Sequence, residues 1–114
     1  MSDPLHVTFV CSGNICRSPM AEKVFAHQLD ERGLSGAVRV SSAGTGSWHA
    51  GDAADDRAGS VLRGHGYPSA HRAALLDDDH LSADLIVAIG RNHVRILHDL
   101  GAAPDRVRML RSFD

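Results

Sequence analysis

Leu5-His6-Val7-Thr8-Phe9-Val10-Cys11-Ser12-Gly13-Asn14-Ile15-Cys16-Arg17-Ser18-Pro19 carries a strand, a loop and the opening of a helix, in that order. Residues 5–10 are β-branched or apolar at nearly every position, as a short strand covered on both faces of a parallel sheet requires. The run ends at Cys11. Gly13 and Asn14 suit unusual backbone angles. Ser18 reads as an N-cap with Pro19 at the first helical position, and Ala21, Val24, Phe25 and Leu29 recur behind it at helical spacing. Gly33 is a natural stop.

Working outward, residues 38–42 (Val-Arg-Val-Ser-Ser) predict a second strand, and residues 44–51 a glycine-rich loop carrying Trp48. Asp52 is positioned to cap a helix with Ala54, Ala58, Val61 and Leu62 inward, ending near Gly64 and Gly66. Asp77-Asp78-Asp79 reads as a solvated acidic turn. Residues 85–89 form a third, wholly apolar strand. Residues 92–100 form a helix with Ile96, Leu97 and Leu100 inward, stopped by Gly101 and Pro104, and residues 107–110 make the fourth strand. Strands alternating with helices at this spacing imply βαβ units and a three-layer α/β/α fold on a four-stranded parallel sheet, with ligands at the carboxyl ends of the strands.

At 114 residues the chain predicts a single domain, residues 1–114. With 43% hydrophobic and 23% charged residues it stands well away from disordered chains, and a net charge of −2 argues against nucleic-acid or membrane-surface partners. No apolar run approaches the ~20 residues of a membrane span. The start of the chain lacks a signal-peptide pattern, which points to the cytoplasm; export without a signal would leave no mark here. The two cysteines, Cys11 and Cys16, are too few and too local for a disulfide framework. None of the eight histidines joins a cysteine or carboxylate at a metal-binding spacing, so neither metal nor cofactor is expected.

The loop from Cys11 to Ser18 lies where an anion belongs. Its backbone N–H groups can form an inward-facing nest over Ser12, Gly13, Asn14, Ile15, Cys16, Arg17 and Ser18, the helix adds its positive end, and Arg17 supplies a planar fork for two phosphate oxygens. The same surroundings favour the thiolate of Cys11 and make it a nucleophile. No lysine follows the glycine as in a Walker loop, and no G-x-G-x-x-G supports a dinucleotide site.

At these residues the chain resembles the low-molecular-weight protein tyrosine phosphatases, whose signature is a strand followed by C-x-G-N-x-C-R-S-P. Every signature position matches. Weaker matches continue through Ser42-Ala43-Gly44, Trp48-His49, His71 and Arg91-Asn92-His93. The resemblance implies that Cys11 attacks phosphorus, Arg17 grips the equatorial oxygens, and Ser18 donates to the sulfur and helps it leave. It implies a left-handed Asn14 held by Ser42 and His71, and a pocket wall from Trp48 and His49. The expected partners are phosphotyrosine-containing proteins as substrates and inorganic phosphate as product. Family members use a second thiol to trap an oxidised nucleophile; Cys16 is either that thiol or one buried under the loop.

The family's general acid is an aspartate in a D-P pair beyond residue 114, followed by a last helix on the sheet. The chain therefore reads as lacking that loop and helix and leaves no proton donor to assign, Asp114 being in the right region but terminal. Part of one sheet face is expected to lie open, inviting self-association. Gly90 stands where many members carry aspartate. Two other readings compete: a thiol-dependent arsenate reductase of the same fold, which needs further cysteines where none follows Cys16, and a phosphate- or phosphotyrosine-binding fragment without turnover.

Overall fold

The apolar run at the head of the chain forms β1 (Leu5–Cys11), and its position explains why nearly every residue is apolar. It pairs in parallel with β2 (Val38–Gly44) on one edge and β3 (Leu85–Ala88) on the other. β4 (Val107–Met109) extends the sheet, giving the order β2-β1-β3-β4. This computed structural model describes residues 4–14, 17–46 and 50–110.

Alternate residues of β1 serve opposite layers. Val7 and Phe9 join Val87 beneath Ala21 and Phe25 of α1 (Arg17–Glu31), with the Phe9 and Phe25 rings edge-to-face at 5.9 Å. Val10 turns the other way, into a cluster with Ile86, Ala88, Val107 and Leu97 of α4 (Arg91–Asp99). Between them in sequence come α2 (Asp56–Gly64), which touches α1, and the single turn α3 (Asp78–Leu81). The chain leaves β1 through α1 to β2 on one side, then crosses to β3 on the other. The carboxyl end of β1 thus lies where the strand order reverses, the preferred place for a ligand crevice in an open parallel sheet.

Several sequence expectations shift. Ser18 is no N-cap: α1 already begins at Arg17, and Ser18 is fully buried. Asp55, not Asp52, caps α2, accepting from the Arg57 amide at 3.0 Å. The Gly51 amide donates to the Ala73 carbonyl and the Ala73 amide to the Asp52 carbonyl, which ties this stretch to residue 73 and delays the helix. Ala54 accordingly precedes α2, and Val61 is exposed while Ala58 and Leu62 face inward.

The acidic run at 77–79 is a helix start rather than a bare turn. Asp77 and His80 bond each other's backbone amides at 3.2 Å, and Asp78 and Asp79 sit in the first turn, where negative charge is favoured. In α4 the inward residues are His93 and Leu97; Leu100 lies past the end of the helix, exposed. An apolar groove of about 700 Å³ runs between α1 and the sheet, lined among others by Phe9, Val24, Phe25, Leu85 and Leu110. No helix among the described residues is long and apolar enough to cross a membrane.

Candidate active site

β1 delivers Cys11 to the end of the sheet, buried, with its sulfur facing the loop that follows. The Asn14 amide lies 3.3 Å from Cys11 Sγ and donates to it, and Ser18 Oγ stands 2.8 Å away. The positive end of α1 begins at Arg17, whose exposed guanidinium is close enough to act on His93.

The direction of the hydroxyl proton follows from its neighbours. The Ala74 amide donates to Asn14 Oδ1 at 2.8 Å, so the Asn14 side chain turns its Nδ2 group to Ser18 Oγ, also at 2.8 Å. Ser18 Oγ accepts there, leaving its own proton for Cys11 Sγ. Asn14 is the only described non-glycine residue with positive φ, at 57°, and is fully buried. His71 Nε2 lies 2.6 Å from the Asn14 carbonyl oxygen; since a carbonyl only accepts, that nitrogen carries the hydrogen.

Ser42 departs from expectation. Its hydroxyl donates to Glu22 Oε1 of α1 at 2.5 Å, and the amide of Asn14 is held by Ser18 and Ala74 instead. β2 meets the loop through backbone: the Thr45 and Gly46 amides donate to the Cys11 and Ser12 carbonyls at 2.9 and 3.0 Å. At Gly44 a Cβ would come within 2.8 Å of the Ser12 carbonyl oxygen and 3.0 Å of the Gly13 carbonyl carbon. Only glycine permits that approach.

Ser12 Oγ meets His93 Nε2 at 2.9 Å, while His93 Nδ1 accepts from the Gly90 amide at 3.0 Å. Burial first, and the Arg17 charge second, lower the pKa of His93 from its ordinary value, so the ring stays neutral. Ile15, Cys16, Trp48, His49 and Asp114 fall outside the described residues. Among the described residues no group of three His, Cys, Asp or Glu side chains converges as metal donors would.

Residues 6–114 match the family model described as low molecular weight phosphotyrosine protein phosphatase. The chain belongs to that family. It is 69% identical over 114 residues to low molecular weight protein-tyrosine phosphatase A of Mycobacterium tuberculosis, covering all of this chain and 70% of that protein. It is 46% identical over 112 residues to the low molecular weight protein-tyrosine-phosphatase of Streptomyces coelicolor, covering 95% and 68%. The crystal structure of a protein tyrosine phosphatase from Entamoeba histolytica superposes with a TM-score of 0.90 at 29% identity, over 96% of this chain and 72% of that one.

Within this low molecular weight phosphatase fold, three contacts had no counterpart in the sequence reading: Ala74 to Asn14, Ser42 to Glu22, and His93 to Ser12. The first is made by a backbone amide, which residue type cannot reveal. The third had a usable signal, because residues following two adjacent parallel strands emerge side by side. A polar residue just after β1 and a histidine in the first turn of α4 are therefore natural partners.

Proposed function

We propose that this chain hydrolyses phosphotyrosine monoesters through a cysteinyl-phosphate intermediate. The observation that carries the proposal is the buried Cys11 sulfur, flanked by the Asn14 amide and the Ser18 hydroxyl at the start of a helix. Both donors point at the one sulfur, which is thereby held facing the loop as a hydrogen-bond acceptor.

In the first step the Cys11 thiolate attacks phosphorus, the P–S bond forms and the bond to the phenolic oxygen breaks, with the phenol leaving. Arg17 and the inward amides take up the charge that spreads over the equatorial oxygens. In the second step water displaces the sulfur, giving inorganic phosphate and returning the thiolate, which the Ser18 proton steadies as it leaves. The general acid that the family places beyond residue 114 would protonate a tyrosyl oxygen; without such an acid, rates on poor leaving groups fall by ~10²–10⁴.

The comparisons match phosphatases, which does not favour an arsenate reductase. The few, local cysteines suit a cytoplasmic site of action. The apolar groove beside α1 supports association with a second copy of the chain, which sedimentation across a concentration series reads directly. Turnover of para-nitrophenyl phosphate at pH 5–7 tests the enzymatic reading: it is expected in the wild type and absent in Cys11→Ser. Equal rates in the two would overturn it.

A further inference from the structure

Ser12, next to the nucleophile, is exposed at the rim of the loop, yet its hydroxyl is held by a fully buried histidine from another element. The protonation pattern of that histidine is fixed by its partners. An amide can only donate, so the Gly90 N–H makes His93 Nδ1 an acceptor, and in the neutral ring the hydrogen must then sit on Nε2. That hydrogen goes to Ser12 Oγ. Gly90 leaves space for this arrangement: a Cβ there would stand 3.4 Å from His93 Nδ1 and 3.0 Å from Asn92 Oδ1.

We propose that His93 is a positioning residue for the phosphate loop, acting through Ser12: the Gly90 amide fixes the ring, and the ring fixes the hydroxyl beside Cys11. This rests on the phosphate-site reading above. Ser12 Oγ accepts from His93, so its own proton is left for an acceptor at the rim, and an incoming phosphoryl oxygen is one. The Ser12 backbone is pinned from the opposite side, where its carbonyl accepts from the Gly46 amide at 3.0 Å. Held by both its carbonyl and its hydroxyl, the stretch that carries the nucleophile is shaped before the anion arrives.

The probe is inorganic phosphate, and the readout is the concentration that halves carboxymethylation of Cys11 by iodoacetate, followed by mass at the Cys11 peptide. Ser12→Ala and His93→Leu are each expected to need about three- to tenfold more phosphate, the range of one hydrogen bond. The double variant should need no more than either single one. His93→Gln, whose amide N–H can replace Nε2–H, should return most of the protection.

Three results would overturn the inference: Ser12→Ala protected like the wild type, His93→Leu costing as much in the Ser12→Ala background as alone, or His93→Gln protecting no better than His93→Leu. If His93→Leu does not fold, Ser12→Ala and His93→Gln decide alone, by the loss in the first and its absence in the second. Failure of phosphate to protect even the wild type would sink the phosphate-site reading and this inference with it.

Discussion

Asn14 does three jobs that few other residues could combine. It adopts a left-handed backbone, which asparagine tolerates better than most residues; it accepts from Ala74 with Oδ1; and it donates to Ser18 with Nδ2. The consequence reaches the sulfur through one hydroxyl proton. Removing that hydroxyl in Ser18→Ala takes away a donor to a charged leaving atom, worth about 1.5–3 kcal/mol, and leaves Asn14 Nδ2 buried without its acceptor. We expect kcat for para-nitrophenyl phosphate to fall about 10- to 100-fold, with phosphoenzyme accumulating because the second step is the one slowed. A kcat within twofold of the wild type would show that Ser18 has no part in expelling the sulfur.

At the scale of elements, the site is an agreement between the ends of neighbouring strands. Gly44 closes β2 against the Ser12 and Gly13 backbone, donates to the Ala74 carbonyl at 2.8 Å and accepts from the Leu76 amide at 2.9 Å. Gly44→Ala would force a methyl group into backbone that cannot swing aside as a side chain would. Overpacking of this kind costs about 1–3 kcal/mol. Urea unfolding should register that loss, and phosphate protection of Cys11 should weaken with it; an unchanged midpoint would mean that the loop yields freely. Much of this level could be read from the chain alone. A run of six mostly apolar or β-branched residues, a loop of unusual residues and a proline in the first turn of α1 stand in one short stretch, and each signal is local. The cap at Asp55 and the inward His93 were not legible in the same way, because the first depends on pairing with Ala73 that sets where the helix begins and the second on a distant partner, Ser12; the helix start at Asp77, whose partner His80 lies three residues on, carried a local signal. Ser42 shows the same limit from the other side: its place near the loop was legible, but its proton goes to Glu22 in α1.

Across the whole molecule, a second polar network lies at the opposite end of the sheet from Cys11. Arg39 grips Asp79 through two 2.9 Å bonds, holding that carboxylate down to a pKa of about 2, and donates to His6 Nδ1 at 3.0 Å. The other ring nitrogen of His6 then donates to Ser41, and Ser41 to the buried Thr8. His6 is neutral in this arrangement, and burial first and Arg39 second lower its pKa, against smaller opposing effects of Asp79 and Asp84; His80 adds a further lowering. The folded pKa is below the unfolded one, so its contribution is complete above about pH 6.5 and is lost as the pH falls through the folded value. His93, also lowered, acts in the same direction. The melting temperature should therefore decline on acidification below about pH 6.5, and His6→Gln should flatten that decline without abolishing it; an unchanged slope would contradict the assignment. Everything functional, however, returns to one sulfur at the far end of β1. The most direct test is acid quench within milliseconds of mixing the chain with phosphate-labelled para-nitrophenyl phosphate, followed by isolation of the Cys11 peptide. Label bound to Cys11 in the wild type, and absent from Cys11→Ser, is the predicted result; turnover of the ester with no label ever found on that peptide would contradict the account.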